Sequence, residues 1–425
     1  MVPAKKSAAI PSLKHFFLSA SHGSRRLTAS VFLLAGVAWL SSCQSAWSAD
    51  DDEAAPKPAA AKHSYKELPV TDLKQNSTAV GSILMSGKLG NQQALFDDFY
   101  QKFFLARWTK VDNVTNLPGY RKELRNSHLA KKGPGAGPEA HEHLNALVLE
   151  FMKGLMTDNY HPAVQVNAML MIGELNSVEG ATPTPLPEAL GLMTTLVNDP
   201  KISDAVRAAA LVGIQRHVAL NINDADARKA LTVAMLKLAN ADLPTGAKKV
   251  GREWIVSQAA DILGGLGSVG DNNAVFKALT KILANDKSSL STRSMVAEAL
   301  GKLNYTGANG IDVTATASLL AQLLVDACES ELGKDSADFD NEVLRRSVHQ
   351  HASNVLTALT GDGEASHKGL ASLARDENQK KLVGGLQKSI ETILTFLDDK
   401  KTEDEDAEKP IKKFNGELKK LLKKD

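Results

Sequence analysis

An all-α fold, with helix pairs stacked into an α-solenoid, is what this sequence predicts. Three observations carry that expectation. Aromatic residues make up only 5% of the 425-residue chain, and Ala and Leu, both strong helix formers, dominate it. Apolar residues between about 77 and 400 recur at i, i+3, i+4 and i+7, with no alternating strand pattern. Five of these segments also align with one another, and each follows another amphipathic segment. One helix pair cannot bury its apolar face alone, so repetition predicts stacking.

Residues 1–49 read as an export signal. They hold five basic residues and no acid, followed by the apolar run "LTASVFLLAGVAWL" at 27–40. That run is too short to span a bilayer comfortably and suits a signal-peptide core. Two processing routes stay open: cleavage after "AWS", ending at Ser48, or lipidation of Cys43 in "LSSC". The expected location is the periplasm or envelope, with Cys43 as a possible membrane tether. Without 1–49 the chain carries 45 basic and 49 acidic residues, which argues against a nucleic-acid binder.

Residues 50–76 are charged and rich in Pro and Ala, and predict a disordered linker. Residues 77–130 predict a helical N-terminal cap containing "FDDFYQKFFLARW". Phe96, Phe99, Phe103 and Phe104, with Tyr100 and Trp108, follow helical spacing and make one stripe. The stripe is either a small core or a docking face, with Phe99 and Phe103 as candidate contacts. Residues 102–132 add eight Lys/Arg against two acids, including Arg121, Lys122, Arg125, Lys131 and Lys132. "KKGPGAGP" at 131–138 breaks the helical pattern.

Residues 139–361 hold the repeats. The aligned segments are "HPAVQVNAMLMIGEL", "SDAVRAAALVGIQRH", "REWIVSQAADILGGL", "LSTRSMVAEALGKL" and "SVHQHASNVLTAL". Their anchors are Ala168, Ala210, Ala259, Val296 and Ala352, spaced 42, 49, 37 and 56 residues apart. Such segments resemble the HEAT/armadillo class of helical repeats, of the exported bacterial type. The resemblance rests on Asp204, Val206 and Arg207 at a second-helix start, and on Gly173–Leu175 and Gly301–Leu303 at its end. It implies a solenoid of about five HEAT-like helix pairs and says little about function. The fifth repeat departs from the pattern through "CESELGKDSADFDNEVL" and a missing terminal Gly. A C-terminal helical cap is expected at 362–399 and a mobile charged tail at 400–425.

No catalytic constellation emerges, and no cofactor or metal is expected. Gly265, Gly267 and Gly270 spell GxGxxG, the spacing of a dinucleotide-binding turn. A helical pattern precedes them where that turn needs a strand, so they predict a helix end with Gly267 as a left-handed C-cap. The pairs His141/His143 and His349/His351 lie two residues apart and point to different sides of a helix, which prevents chelation. HEAT-type di-iron enzymes use several His–Glu dipeptides, and this chain has one, His141–Glu142. Cys328 sits on an apolar helical face and predicts a core residue.

The second helices should expose Gln165, Asn167, Arg207, Arg216, Gln258, Asp261, Arg293, Glu298, Lys302 and Gln350 by helical phase. Arg207, Arg216, Arg293 and Lys302 are the candidate partner contacts on a concave face. The expected function is a non-catalytic protein–protein interaction or scaffolding role in the cell envelope, with a protein or peptide partner. Two alternatives stand beside it. One is an enzyme or cofactor handler on the same scaffold, bilin-lyase-like or di-iron. The other is a membrane-anchored lipoprotein spacer.

Overall fold

The computed structural model describes residues 64–334, 340–399, 402 and 406–423. The expected export signal, Cys43 and most of the expected linker lie outside those residues. The chain is all-α: 71% is helical, in fifteen helices among the described residues. No described helix is long and apolar enough to cross a membrane.

The N-terminal part contains α1 (Ser77–Ser86), α2 (Gln93–Asp98) and α3 (Leu117–Glu123). α2 continues as a π-helix, Phe99–Phe104, in which the Leu105 N–H donates to the Tyr100 carbonyl. Then follow α4 (Glu139–Thr157), α5 (Pro162–Gly173), α6 (Pro187–Leu196), α7 (Asp204–Ala219), α8 (Ala225–Ala239) and α9 (Lys248–Leu266). The chain ends with α10 (Ala274–Leu283), α11 (Leu290–Gly301), α12 (Val313–Leu332), α13 (Asn341–Thr360), α14 (Glu377–Asp398) and α15 (Glu408–Leu422). Between α5 and α6 a short antiparallel hairpin joins β1 (Asn176–Val178) to β2 (Thr184–Pro185).

Short polar side chains start these helices by accepting from otherwise unpaired backbone N–H groups. Ser203 caps α7, Asp224 caps α8, Ser289 caps α11, Asp312 caps α12, Asp340 caps α13 and Asp376 caps α14. α9 ends at Gly267, whose φ of +71° is the left-handed conformation that favours glycine. The GxGxxG stretch is therefore a helix end and a turn, and the glycine pattern marks a stop.

Five contacting pairs follow one another: α4 with α5, α6 with α7, α8 with α9, α10 with α11 and α12 with α13. The second helices also meet each other in sequence, α5 on α7, α7 on α9, α9 on α11 and α11 on α13. The first helices do the same from α6 through α8 and α10 to α12. α14 then lies on α13, and α15 lies on α12 and α14.

Small residues let the second helices approach. A Cβ on Gly173 would stand 2.6 Å from the Gly213 Cα, one on Gly264 2.8 Å from the Ala299 Cα, and one on Gly301 2.1 Å from the Thr357 carbonyl oxygen. Gly173, Gly264 and Gly301 each lie five residues after an aligned anchor, Ala168, Ala259 or Val296. All five anchors are buried.

Two segments differ from the sequence expectation. From Ser64 on, the expected disordered linker is tied down: Lys66 N–H donates to the Asn159 carbonyl, Leu68 N–H to Thr109 Oγ1, and Thr71 N–H to the Lys102 carbonyl. The expected charged tail contains α15, which buries Ile411, Phe414 and Leu418. A solvated amphipathic segment and a docked one share the same apolar spacing, and here neighbouring helices offer the partner surface.

Candidate functional site

The row of second helices carries a ladder of polar side chains. Its first cluster gathers residues of α3, α5 and α7, with α5 in contact with both of the others. Arg121 Nε lies 3.1 Å from Glu174 Oε1, and its Nη1 donates to Asn167 Oδ1 at 3.1 Å. Arg125, in the π-helical continuation of α3, donates through both Nη atoms to the two carboxylate oxygens of Glu179. This fork-to-fork geometry is one lysine cannot reproduce. Asn176 Nδ2 donates to Glu179, and Arg216 donates to Asn176 Oδ1 and to the Gly173 carbonyl. The end of α5 thus holds the acid that pairs with Arg121, and the hairpin holds the acid that pairs with Arg125.

Three guanidinia and two carboxylates share this cluster. Burial raises the Glu174 carboxyl above its ordinary value, although Arg121, Arg125 and Arg216 pull the other way. Burial likewise lowers Arg216, with Arg125 repelling it and Glu174 and Glu179 supporting its charge. Beside them, His217 is 2% exposed and its Nε2 has no partner. Burial, aided by Arg216, pushes its pKa down to about 3, so the ring is neutral at pH 7.

The second cluster bridges three helices. Asp261 on α9 accepts from Gln215 Nε2 on α7 at 2.8 Å and from Lys302 Nζ, just past α11, at 2.8 Å. Lys302 also pairs with Glu298 at 2.8 Å. Burial works against the ammonium, but Asp261 and Glu298 outweigh it and hold its pKa above the usual value.

The other sequence candidates go elsewhere. Arg207 and Arg293, expected on the exposed face, are 8% and 6% exposed. Arg207 Nη2 donates to the Asp199 carbonyl at 2.6 Å, and Arg293 Nε donates to the Leu283 carbonyl at 2.9 Å. Gln165 reaches the Asp158 carbonyl at 3.2 Å in the same way. Each sits three residues before its anchor and clasps the chain at or just after the end of the preceding helix. Helical phase gives the face of the Cα, but a long side chain can turn back into the seam. Gln258 is buried as well, whereas Asn167, Arg216, Asp261, Glu298 and Lys302 are half-buried and Gln350 is exposed.

Phe99 is 3% exposed, and Phe103 is half-buried against the same core. The aromatic stripe is therefore a local core. It surrounds His128, whose Nδ1 lies 2.8 Å from the Tyr100 hydroxyl and whose ring centroid is 4.4 Å from that of Phe104. Burial first, then Lys131 and Arg107, lowers the His128 pKa to about 4. Arg107 lies over the rings of Phe103, Phe104 and Tyr120. Five of the eight basic residues at 102–132 pair with acids of this chain: Lys102 with Asp98, Arg107 with Glu123, Lys110 with Glu67, Arg121 with Glu174 and Arg125 with Glu179.

Two open cavities of about 290 Å³ lie away from the ladder. One is lined by Asp204, Asp242, Leu243, Pro244, Lys248 and Arg252. The other contains His143, whose Nε2 lies 2.5 Å from Asp97 Oδ1. His141 turns instead to the Asn176 carbonyl, and His349 to Asp398, so neither histidine pair converges. No group of three His, Cys, Asp or Glu side chains among the described residues has the geometry to hold a metal. Cys328 is fully buried, and burial followed by Glu329 pushes its thiol up to about 12.

Sequence reasoning named Asp261 and Glu298 but gave no polar role to Glu174, Asn176 and Glu179, which follow α5. The signal available was the local "GELNSVEG", two carboxylates beside a helix end. Comparison with protein-family models, with curated proteins and with solved structures returned no match.

Proposed function

We propose that this chain is a HEAT-like α-solenoid that scaffolds a protein or peptide partner without catalysing a reaction. The observation that carries the reading is the unbroken row of second helices, each meeting the next through α5, α7, α9, α11 and α13. The equivalent clasps at Gln165, Arg207 and Arg293, and the equivalent glycines at 173, 264 and 301, support a repeated unit behind that row. Solenoids bind along the surface such a row creates. Asn167, Gln215, Arg216, Asp261, Glu298, Lys302 and Gln350 give that surface donors and acceptors of both charge signs, each held by a hydrogen bond or ion pair within the chain.

The contacts available to a partner are therefore Arg216 and Lys302 from the original candidates. Arg207, Arg293 and Phe99 act in the scaffold. Export to the periplasm or envelope, with processing near Cys43 or Ser48, is part of the same proposal.

The test is chemical crosslinking of the full chain in the native envelope, with identification of what it enriches. The control is a double variant, Asp261→Lys with Lys302→Asp, which keeps the ion pair and reverses the surface pattern. A protein enriched by the wild type and lost by the reversed pair supports the reading. Equal enrichment by both chains contradicts it.

A further inference from the structure

α15 has two unlike faces. Ile411, Phe414, Asn415 and Leu418 are buried, and the helix lies on α12 and α14. Opposite them, Lys409, Lys412, Lys413, Lys420 and Lys423 are exposed. At 3.6 residues per turn these five fall within one arc of about 100°, and at 1.5 Å per residue they span about 21 Å. Gly416 lies in the middle of the arc and adds no side chain between the lysines. Lys412 pairs with Glu408, and the neighbouring Lys419 pairs with Glu329 of α12. Lys409, Lys413, Lys420 and Lys423 have no acidic partner among the described residues.

We propose that this lysine face is a docking surface for an anionic phospholipid bilayer. Charge complementarity favours that occupant. The face carries ammonium groups alone, with no arginine to fork onto one phosphate and no aromatic ring to stack on a base. Mobile point charges on four-carbon stems suit a diffuse sheet of negative headgroups. The apolar face of α15 is already buried in the protein, so the helix rests on the bilayer without inserting. The contact is electrostatic and weakens as salt rises. The helix is already folded, so no ordering cost is added on contact. This inference is independent of the partner proposed for the second-helix row.

The experiment is co-sedimentation of the full chain with vesicles of phosphatidylglycerol and phosphatidylcholine, and with phosphatidylcholine vesicles alone. It is repeated with a variant carrying Lys409→Gln, Lys413→Gln, Lys420→Gln and Lys423→Gln, whose thermal melt reports that the fold is kept. Both chains have the same N-terminal residues, so the difference between them reports α15. The expected result is phosphatidylglycerol-dependent binding that falls on the order of 1,000-fold in the variant and is lost at high salt. Equal binding by both chains, or equal binding to both vesicle types, overturns the proposal. Tighter binding to a short DNA duplex than to the vesicles also overturns it, and assigns the face to nucleic acid.

Discussion

Gly173 on α5 and Gly213 on α7 meet backbone to backbone: a Cβ on the first would stand 2.6 Å from the Cα of the second. The same closeness recurs at Gly264 with Ala299 and at Gly301 with Thr357. These crossings set how near the second helices lie, and hence how the ladder of polar side chains above them is spaced.

Substitution at a crossing is costly. Gly301→Ala places a methyl group on the Thr357 backbone, which cannot yield as a side-chain tip can. The expected loss is about 1–3 kcal/mol by urea denaturation. Gly154 in α4 meets nothing within 4 Å, so Gly154→Ala is expected to stabilise by about 0.5–1 kcal/mol. Equal effects at the two sites would refute the crossing account.

The arginine clasps are structural. Arg293→Ala removes a bond to the Leu283 carbonyl and an ion pair to Asp326, leaving the carbonyl without that donor and the carboxylate with Gln322 alone. A loss of about 1–3 kcal/mol is expected. Arg346→Ala, at a side chain 68% exposed, is expected to change stability by less than about 0.5 kcal/mol.

Asp261 and Lys302 couple α9 to the end of α11. A double-mutant cycle with Asp261→Asn and Lys302→Met is expected to give a coupling energy of about 1 kcal/mol. A coupling indistinguishable from zero would mean the pair is solvated rather than structural.

Stability should fall in mild acid because of His217 and His128. Both are held neutral in the folded protein, with pKa values of about 3 and about 4. Below 6.5 the unfolded chain takes up protons that the folded chain refuses, so stability is full above that pH. It declines as pH drops, until each folded-state pKa is passed. Each histidine contributes a slope of about 1.4 kcal/mol per pH unit. His217→Leu should flatten the acid limb between pH 6 and 4, read by denaturant melts across that range.

The Cys328 thiol should be inert in the native protein, since burial pushes it up to about 12. Iodoacetamide labelling resolved by peptide mass should leave the Cys328 peptide unmodified until denaturant is added. Labelling of that peptide under native conditions would show that α12 opens.

The helices are legible because apolar spacing and terminal glycines point one way, as at Gly267. The site was less legible. Helical phase puts Arg207 and Arg293 on an outer face, but their long side chains return to carbonyls at the seam. Phe99 lies on the stripe that the spacing marks, yet spacing alone does not tell a local core from a docking face. Glu179 stands in a hairpin turn, and its partner Arg125 lies more than fifty residues upstream. Long-range partners of this kind leave no local pattern.

The central claim is that the second-helix row is the binding face. It is tested most directly by site-specific photo-crosslinking with the reactive residue placed at Gln215 or Gln350 on that row, or at Val233 on α8, which is 62% exposed. The account predicts one partner captured from Gln215 and Gln350 and not from Val233. Capture from Val233 alone would contradict it.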